Sequence, residues 1–102
     1  MIAAVVLSTD LMDRSKLSAA FPDAVFVRSA GEAIERAGEA EVVVVDLRRV
    51  EAGDLGALVE RAGRVIAFGS HVDDEMLATA TTAGAEALPR SLFFRRLANG
   101  EF

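Results

Sequence analysis

Four consecutive valines, Val42-Val43-Val44-Val45, stand between Glu41 and Asp46, and no other feature narrows the fold so far. The run is too short for a buried helix, and its β-branched side chains suit a pleated strand. It does not alternate with polar residues, so both faces of the strand must be covered, as in a parallel sheet between helices. Shorter runs repeat the pattern at Ile2–Leu7, Ala24–Val27, Arg64–Phe68 and Ala85–Leu88. Strand starts near 2, 24, 41, 64 and 85 are spaced by 22, 17, 23 and 21 residues. That rhythm predicts five βα units joined by right-handed crossovers. The expected fold is α/β and flavodoxin-like: three layers, a parallel sheet in the order 2-1-3-4-5, and helices on both faces.

The segments between the runs carry helix signals. Ser29-Ala30-Gly31-Glu32 has the form of a capping box ahead of Ala33, Ile34 and Ala37. Asp54 is placed to cap the segment bearing Leu55, Leu58, Val59 and Ala62, and Asp73 the one bearing Met76, Leu77, Ala80 and Ala83. Gly38, Gly63 and Gly84 stand where helices should give way to strands. The first helix, from about Asp10 to Phe21, ends before Pro22, and the last runs from Ser91 to about Ala98.

Composition excludes several classes of function. The chain of 102 residues, 52% hydrophobic, reads as one domain over residues 1–102 with a real core. It has no cysteine and a single histidine, His71, so thiolate and multi-histidine metal sites are out of reach. A net charge of −5 opposes electrostatic binding to nucleic acid or anionic membranes. No apolar stretch is long enough for a membrane helix, and Ile2–Leu7 lacks the basic residues that open a signal peptide. A cytoplasmic protein is expected.

In an open α/β sheet, ligands bind beyond the carboxyl ends of the strands, at the point where the strand order reverses. The residues brought to that edge are Ser8, Thr9 and Asp10 after the first strand and Asp46 at the end of the third. Gly69, Ser70 and His71 follow the fourth, and Pro89, Arg90 and Ser91 follow the fifth. Asp46 either serves a reaction there, caps the turn that follows, or pairs with Arg48 or Arg49. Asp10 is placed to cap the first helix, and Ser70-His71-Val72-Asp73 also fits a capping box. No nucleophile elbow accompanies Ser8 or His71.

Over nearly its full length the chain resembles the receiver domain of two-component response regulators. The resemblance rests on Val42–Leu47, on Val65–His71 with Asp73-Asp74-Glu75, and on Ala83-Gly84-Ala85 followed by Leu88-Pro89. It is similar in particular to small stand-alone receiver-like proteins that end shortly after a Pro-Arg-Ser segment. This implies Asp46 as phosphoacceptor, with Mg2+ held by Asp46 and acidic residues after the first strand. The pattern departs from the family at three places. Ser8 and Thr9 replace the acidic pair, leaving Asp10 one position late. Gly69 stands where a hydroxyl belongs, with Ser70 beside it. Leu88 replaces the lysine before the proline, and Arg90 lies beyond it. The resemblance also raises the possibility of a cis Leu88-Pro89 bond.

The leading expectation is a degenerate receiver-like regulatory domain, not an enzyme. It needs no cofactor and acts on a protein partner or as a homodimer, with phosphorylation absent or atypical. The expected contact face is the fourth helix, fifth strand and last helix, where Leu92, Phe93, Phe94 and Leu97 offer more apolar surface than one core requires. One alternative is a working single-domain response regulator phosphorylated on Asp46, with Mg2+ on Asp10 and Asp46. Another is a small-molecule or anion-binding domain using Ser8, Asp46, Ser70 and Arg90.

Overall fold

Each of the five apolar runs becomes a strand. A computed structural model describes residues 2–102. The strands are β1 (Ile2–Leu7), β2 (Val25–Val27), β3 (Ala40–Asp46), β4 (Val65–Gly69) and β5 (Glu86–Pro89). The helices between and after them are α1 (Leu11–Ala20), α2 (Ala30–Arg36), α3 (Ala52–Arg61), α4 (Asp74–Ala83) and α5 (Arg90–Ala98). Single 3-10 turns at Ala37–Glu39 and Leu47–Arg49 flank β3. The strands form one parallel sheet in the order β2-β1-β3-β4-β5, as the spacing of the runs predicts.

Strand alternation splits the core into two layers. Val5, Leu7, Val43, Val45, Val65 and Ala67 face Ala33, Leu55, Leu58 and Ala80 of α2, α3 and α4. Ala4, Val6, Val42, Val44, Ile66 and Phe68 face Leu17, Phe93 and Leu97 of α1 and α5. Parity then fixes the direction of the strand ends. Ser8 continues the series Ala4-Val6, and Asp46 continues Val42-Val44, so both belong to the α1/α5 side.

Helix starts follow the sequence signals with one shift. Ser29 Oγ accepts from the Glu32 N–H at 3.1 Å, and an Asp73 carboxylate oxygen accepts from the Met76 N–H at 3.3 Å. Asp54 does not stand at the N-cap of α3. Glu51 does, and Asp54, three residues on, accepts from the Glu51 N–H at 2.9 Å. The helix therefore begins three residues earlier than a cap at Asp54 would place it. Gly84 ends α4 with φ +107°, a left-handed conformation that other residues avoid. Among the described residues every peptide bond is trans, Leu88–Pro89 included.

Two residues of the expected partner face lie in the core instead. Phe93 and Leu97 are buried, and Phe93 stacks on Phe68 with centroids 4.6 Å apart and on Phe102 at 5.2 Å. Phe94, half-buried, sets its ring edge-on to both Phe68 and Phe93. Phe93 is therefore core, and Phe94 packs against the edge of that core. Leu92 is half-buried. The exposed large apolar side chains among the described residues are Leu11 at 80%, Met12 at 72% and Val72 at 75%, all beside the carboxyl edge of the sheet.

Candidate functional site

Asp46 ends the central strand with its side chain buried to 1% exposure. Its Oδ1 accepts the Arg48 backbone N–H at 3.0 Å, capping the 3-10 turn Leu47–Arg49. That turn swings the Arg48 side chain back over the carboxylate. Arg48 Nε lies 3.1 Å from both Asp46 oxygens and Nη2 lies 2.7 Å from Oδ2. The carboxylate raises the Arg48 guanidinium above its already high ordinary value, chiefly through these hydrogen bonds.

The pair is half of a larger cluster. Asp13, on the inward face of α1, is also buried. Its Oδ1 accepts from Arg90 Nη2 at 2.6 Å, and its Oδ2 lies 3.5 Å from Arg48 Nη2. Arg90, at the start of α5, stacks its guanidinium 5.6 Å from the Phe68 centroid and 5.2 Å from that of Phe94. The chain Asp46–Arg48–Asp13–Arg90 therefore joins β3, α1 and α5 through alternating charges that sum to zero. Ser8 Oγ, Thr9 Oγ1, Asp13 Oδ2 and Arg90 Nη1 are buried there without hydrogen-bond partners among the described residues.

The remaining expected site residues lie around this cluster, not in it. Asp10 is exposed and caps α1, its Oδ1 accepting from the Asp13 N–H at 3.0 Å. That hydrogen bond is the largest of the influences holding its carboxyl below the ordinary range, and Arg48 and Arg90 act in the same direction. Ser70 turns the chain after β4, its Oγ accepting from the Val72 N–H at 3.3 Å. His71 is exposed. Ser70, His71 and Arg90 share a depression with Lys16, Ser91 and Phe94. Gly69 is buried against Leu47: a Cβ placed on it would meet Leu47 Cδ1 at 2.9 Å and Cβ at 3.3 Å.

Asp13 is the residue that sequence reasoning missed. It lies four positions before the buried Leu17, and that spacing puts both on the inward side of α1.

A receiver's Mg2+ does not fit this donor set. Magnesium asks for several oxygens in near-octahedral array, with carboxylates free to bind it. Here both buried carboxylates already hold guanidinium groups, and the cation would enter beside two positive charges. Asp10, the other expected ligand, is committed to its cap. Among the described residues no group of three or more acidic or histidine side chains is placed to hold a metal.

No family model and no curated protein matches the sequence. Solved structures do match. The phosphorylated cyanobacterial phytochrome response regulator RcpA superposes with a TM-score of 0.71 at 11% identity, over 97% of this chain and 88% of its own. A de novo designed Rossmann 2x3 fold protein gives 0.68 at 15% identity, over 100% and 94%. A Sinorhizobium meliloti protein assigned to pilus assembly, CpaE2, gives 0.62 at 18% identity, over 99% and 100%. The chain has the flavodoxin-like fold of receiver domains. Among the described residues no helix is long and apolar enough to cross a membrane.

Proposed function

We propose that this chain is a receiver-like signalling module that works by contact with a partner protein and does not turn over a substrate. The observation that carries the reading is the Arg48 guanidinium seated on the Asp46 carboxylate. A phosphoacceptor must present a free oxygen to the phosphorus atom, and a divalent cation must neutralise the crowded oxygens. Asp46 presents its oxygens to Arg48 instead, and the internal charge balance of the cluster removes the pull on a cation.

The contact surface in this reading is the rim of the same edge. Leu11, Met12 and Val72 are exposed there, with the exposed carboxylates Asp10, Asp73, Asp74 and Glu75 next to them in the chain. Apolar side chains flanked by acids suit a partner protein whose docking surface is apolar with a basic margin.

The test is exposure of the purified chain to acetyl phosphate with Mg2+, read by intact-mass spectrometry. No phosphoryl adduct is expected. An adduct on the wild type that disappears in Asp46→Ala would overturn the reading and establish a working single-domain response regulator.

A further inference from the structure

Beside the rim lies a second concave region that the proposed contact function does not use. A groove of about 580 Å³ runs between α1 and α5, within the range typical of small-molecule sites. The small residues Ala20, Ala98 and Gly100 leave it open, and Phe21, Phe94 and Phe102 give it aromatic surface. At one end it meets the depression of about 290 Å³ that holds Ser70, His71, Arg90 and Ser91. Lys16 and Phe94 belong to both.

The two compartments differ in chemistry. The larger is apolar apart from Lys16. In the smaller, three basic side chains and two hydroxyls come together in a chain whose net charge is −5. Lys16, the sole lysine, makes no ion pair among the described residues and sets its ammonium 5.1 Å from the Phe94 centroid. Arg90 approaches the same ring at 5.2 Å. Two cations thus share one aromatic ring, and among the described residues the carboxylate bonded to them is Asp13, on Arg90. An anion placed there would meet the Lys16 ammonium, which has no carboxylate partner among the described residues, beside the Ser70 and Ser91 hydroxyls.

We propose that the α1/α5 groove binds a small amphipathic anion, an acyl or aryl body carrying a carboxylate or phosphate. The body lies along Ala98 and Phe94, and the charged head meets Lys16 and Arg90 between Ser70 and Ser91. A purely apolar ligand would leave Lys16 unmatched, and a simple anion would leave the larger groove unused. The site does not require Asp46 to be reactive or unreactive, so it stands or falls apart from the contact function.

The test titrates the full chain with decanoate, decanol and inorganic phosphate, followed by two-dimensional amide NMR. Decanoate should shift Lys16, Phe94, Ser91 and Ala98 saturably, and decanol should bind at least about fivefold more weakly, the effect of one modest ion pair. Lys16→Gln, at an exposed position, should weaken decanoate about fivefold and leave decanol unchanged. Ala98→Leu, which fills the groove, should weaken both, with dispersed spectra verifying that each variant folds. Equal affinity for decanoate and decanol would overturn the proposal, as would phosphate binding as tightly as decanoate. So would the absence of saturable shifts, or shifts at these residues that follow protein concentration, which would mark the groove as a contact between two copies.

Discussion

Arg48 and Asp46 are two residues apart, yet they meet side by side, with Nε 3.1 Å from both carboxylate oxygens and Nη2 2.7 Å from Oδ2. The geometry follows from the 3-10 turn between them. Asp46 Oδ1 accepts the Arg48 N–H and tightens the chain, and the tightened chain returns the Arg48 side chain to the same carboxylate. One aspartate thus caps a turn and anchors an arginine. The arginine in turn compensates the burial of a charge that would otherwise be costly at the end of the central strand.

Replacing Arg48 by Ala should destabilise the fold by about 1–2 kcal/mol, the range of a charged hydrogen bond reduced because the arginine is more than half exposed. In the Asp46→Asn background the same replacement should cost roughly 0.5 kcal/mol or less. Urea unfolding of the four members of the cycle measures the coupling. A coupling near zero would mean that the pair is seated but contributes no stability.

Asp13 carries more of the cluster, because it is buried and touches both arginines. Asp13→Ala leaves Arg90 without its carboxylate partner and should cost about 2–3 kcal/mol. Asp13→Asn keeps an acceptor for Arg90 Nη2 and should cost visibly less. Urea midpoints for the two variants, compared with wild type, check the order.

The fold was legible because its signal is distributed. Five apolar runs at regular spacing need only rough boundaries to yield the sheet order, and Asp46 inherits its place from the valines before it. The cluster was less legible because it depends on side-chain direction across long sequence separations. Arg48 stood out as a neighbour of Asp46, and Arg90 as a residue of the right edge. Asp13 is one acid in the first turn of a weakly amphipathic helix, and only its spacing from Leu17 marks it. Phe93 and Leu97 were assigned to a contact face for a related reason. Four apolar residues on a short helix exceed what one strand needs, but the core with Phe68 and Phe102 takes in Phe93 and Leu97 and leaves Leu92 and Phe94 half-buried. Gly69 was visible as a missing hydroxyl, while the side chain that fills its place, Leu47, was not.

The core position of Phe93 has a measurable consequence. Phe93→Ala removes a ring packed between Phe68 and Phe102 and should cost about 3–5 kcal/mol. Leu92→Ala, half-buried on the same helix, should stay within about 1 kcal/mol. Thermal unfolding distinguishes them, and similar losses at both positions would return Phe93 to the surface.

The edge strand offers a pH test. Arg64 Nε and Nη2 meet the Glu86 carboxylate at 2.6 and 3.0 Å, and this hydrogen bonding lowers the Glu86 carboxyl below its ordinary value. The unfolded chain therefore takes up the proton first as pH falls. The pair's contribution is present above the ordinary glutamate value of about 4.3 and fades as pH drops through the lower folded value. Both side chains are substantially exposed, so Glu86→Gln should cost less than about 1 kcal/mol at neutral pH. The difference from wild type should shrink toward zero as the pH falls below the ordinary glutamate value. A gap that widened on acidification would mean that Glu86 is raised, not lowered, by its surroundings.

Restoring the hydroxyl at the end of β4 should not restore receiver chemistry. A serine at Gly69 brings a Cβ to within 2.9 Å of Leu47 Cδ1 and 3.3 Å of Leu47 Cβ. Both residues are buried, so the leucine must shift within a packed layer, at a cost of about 1–3 kcal/mol. Gly69→Ser should therefore lower the urea midpoint without yielding a phosphoryl adduct under acetyl phosphate and Mg2+. Leu47→Ala removes the nearest atom, so the double variant should lose less stability than the sum of the two singles. Strict additivity would mean that the clash is relieved elsewhere. An adduct on Gly69→Ser would mean that Arg48 yields the carboxylate once a hydroxyl is at hand, and that the lock on Asp46 is weaker than its geometry implies.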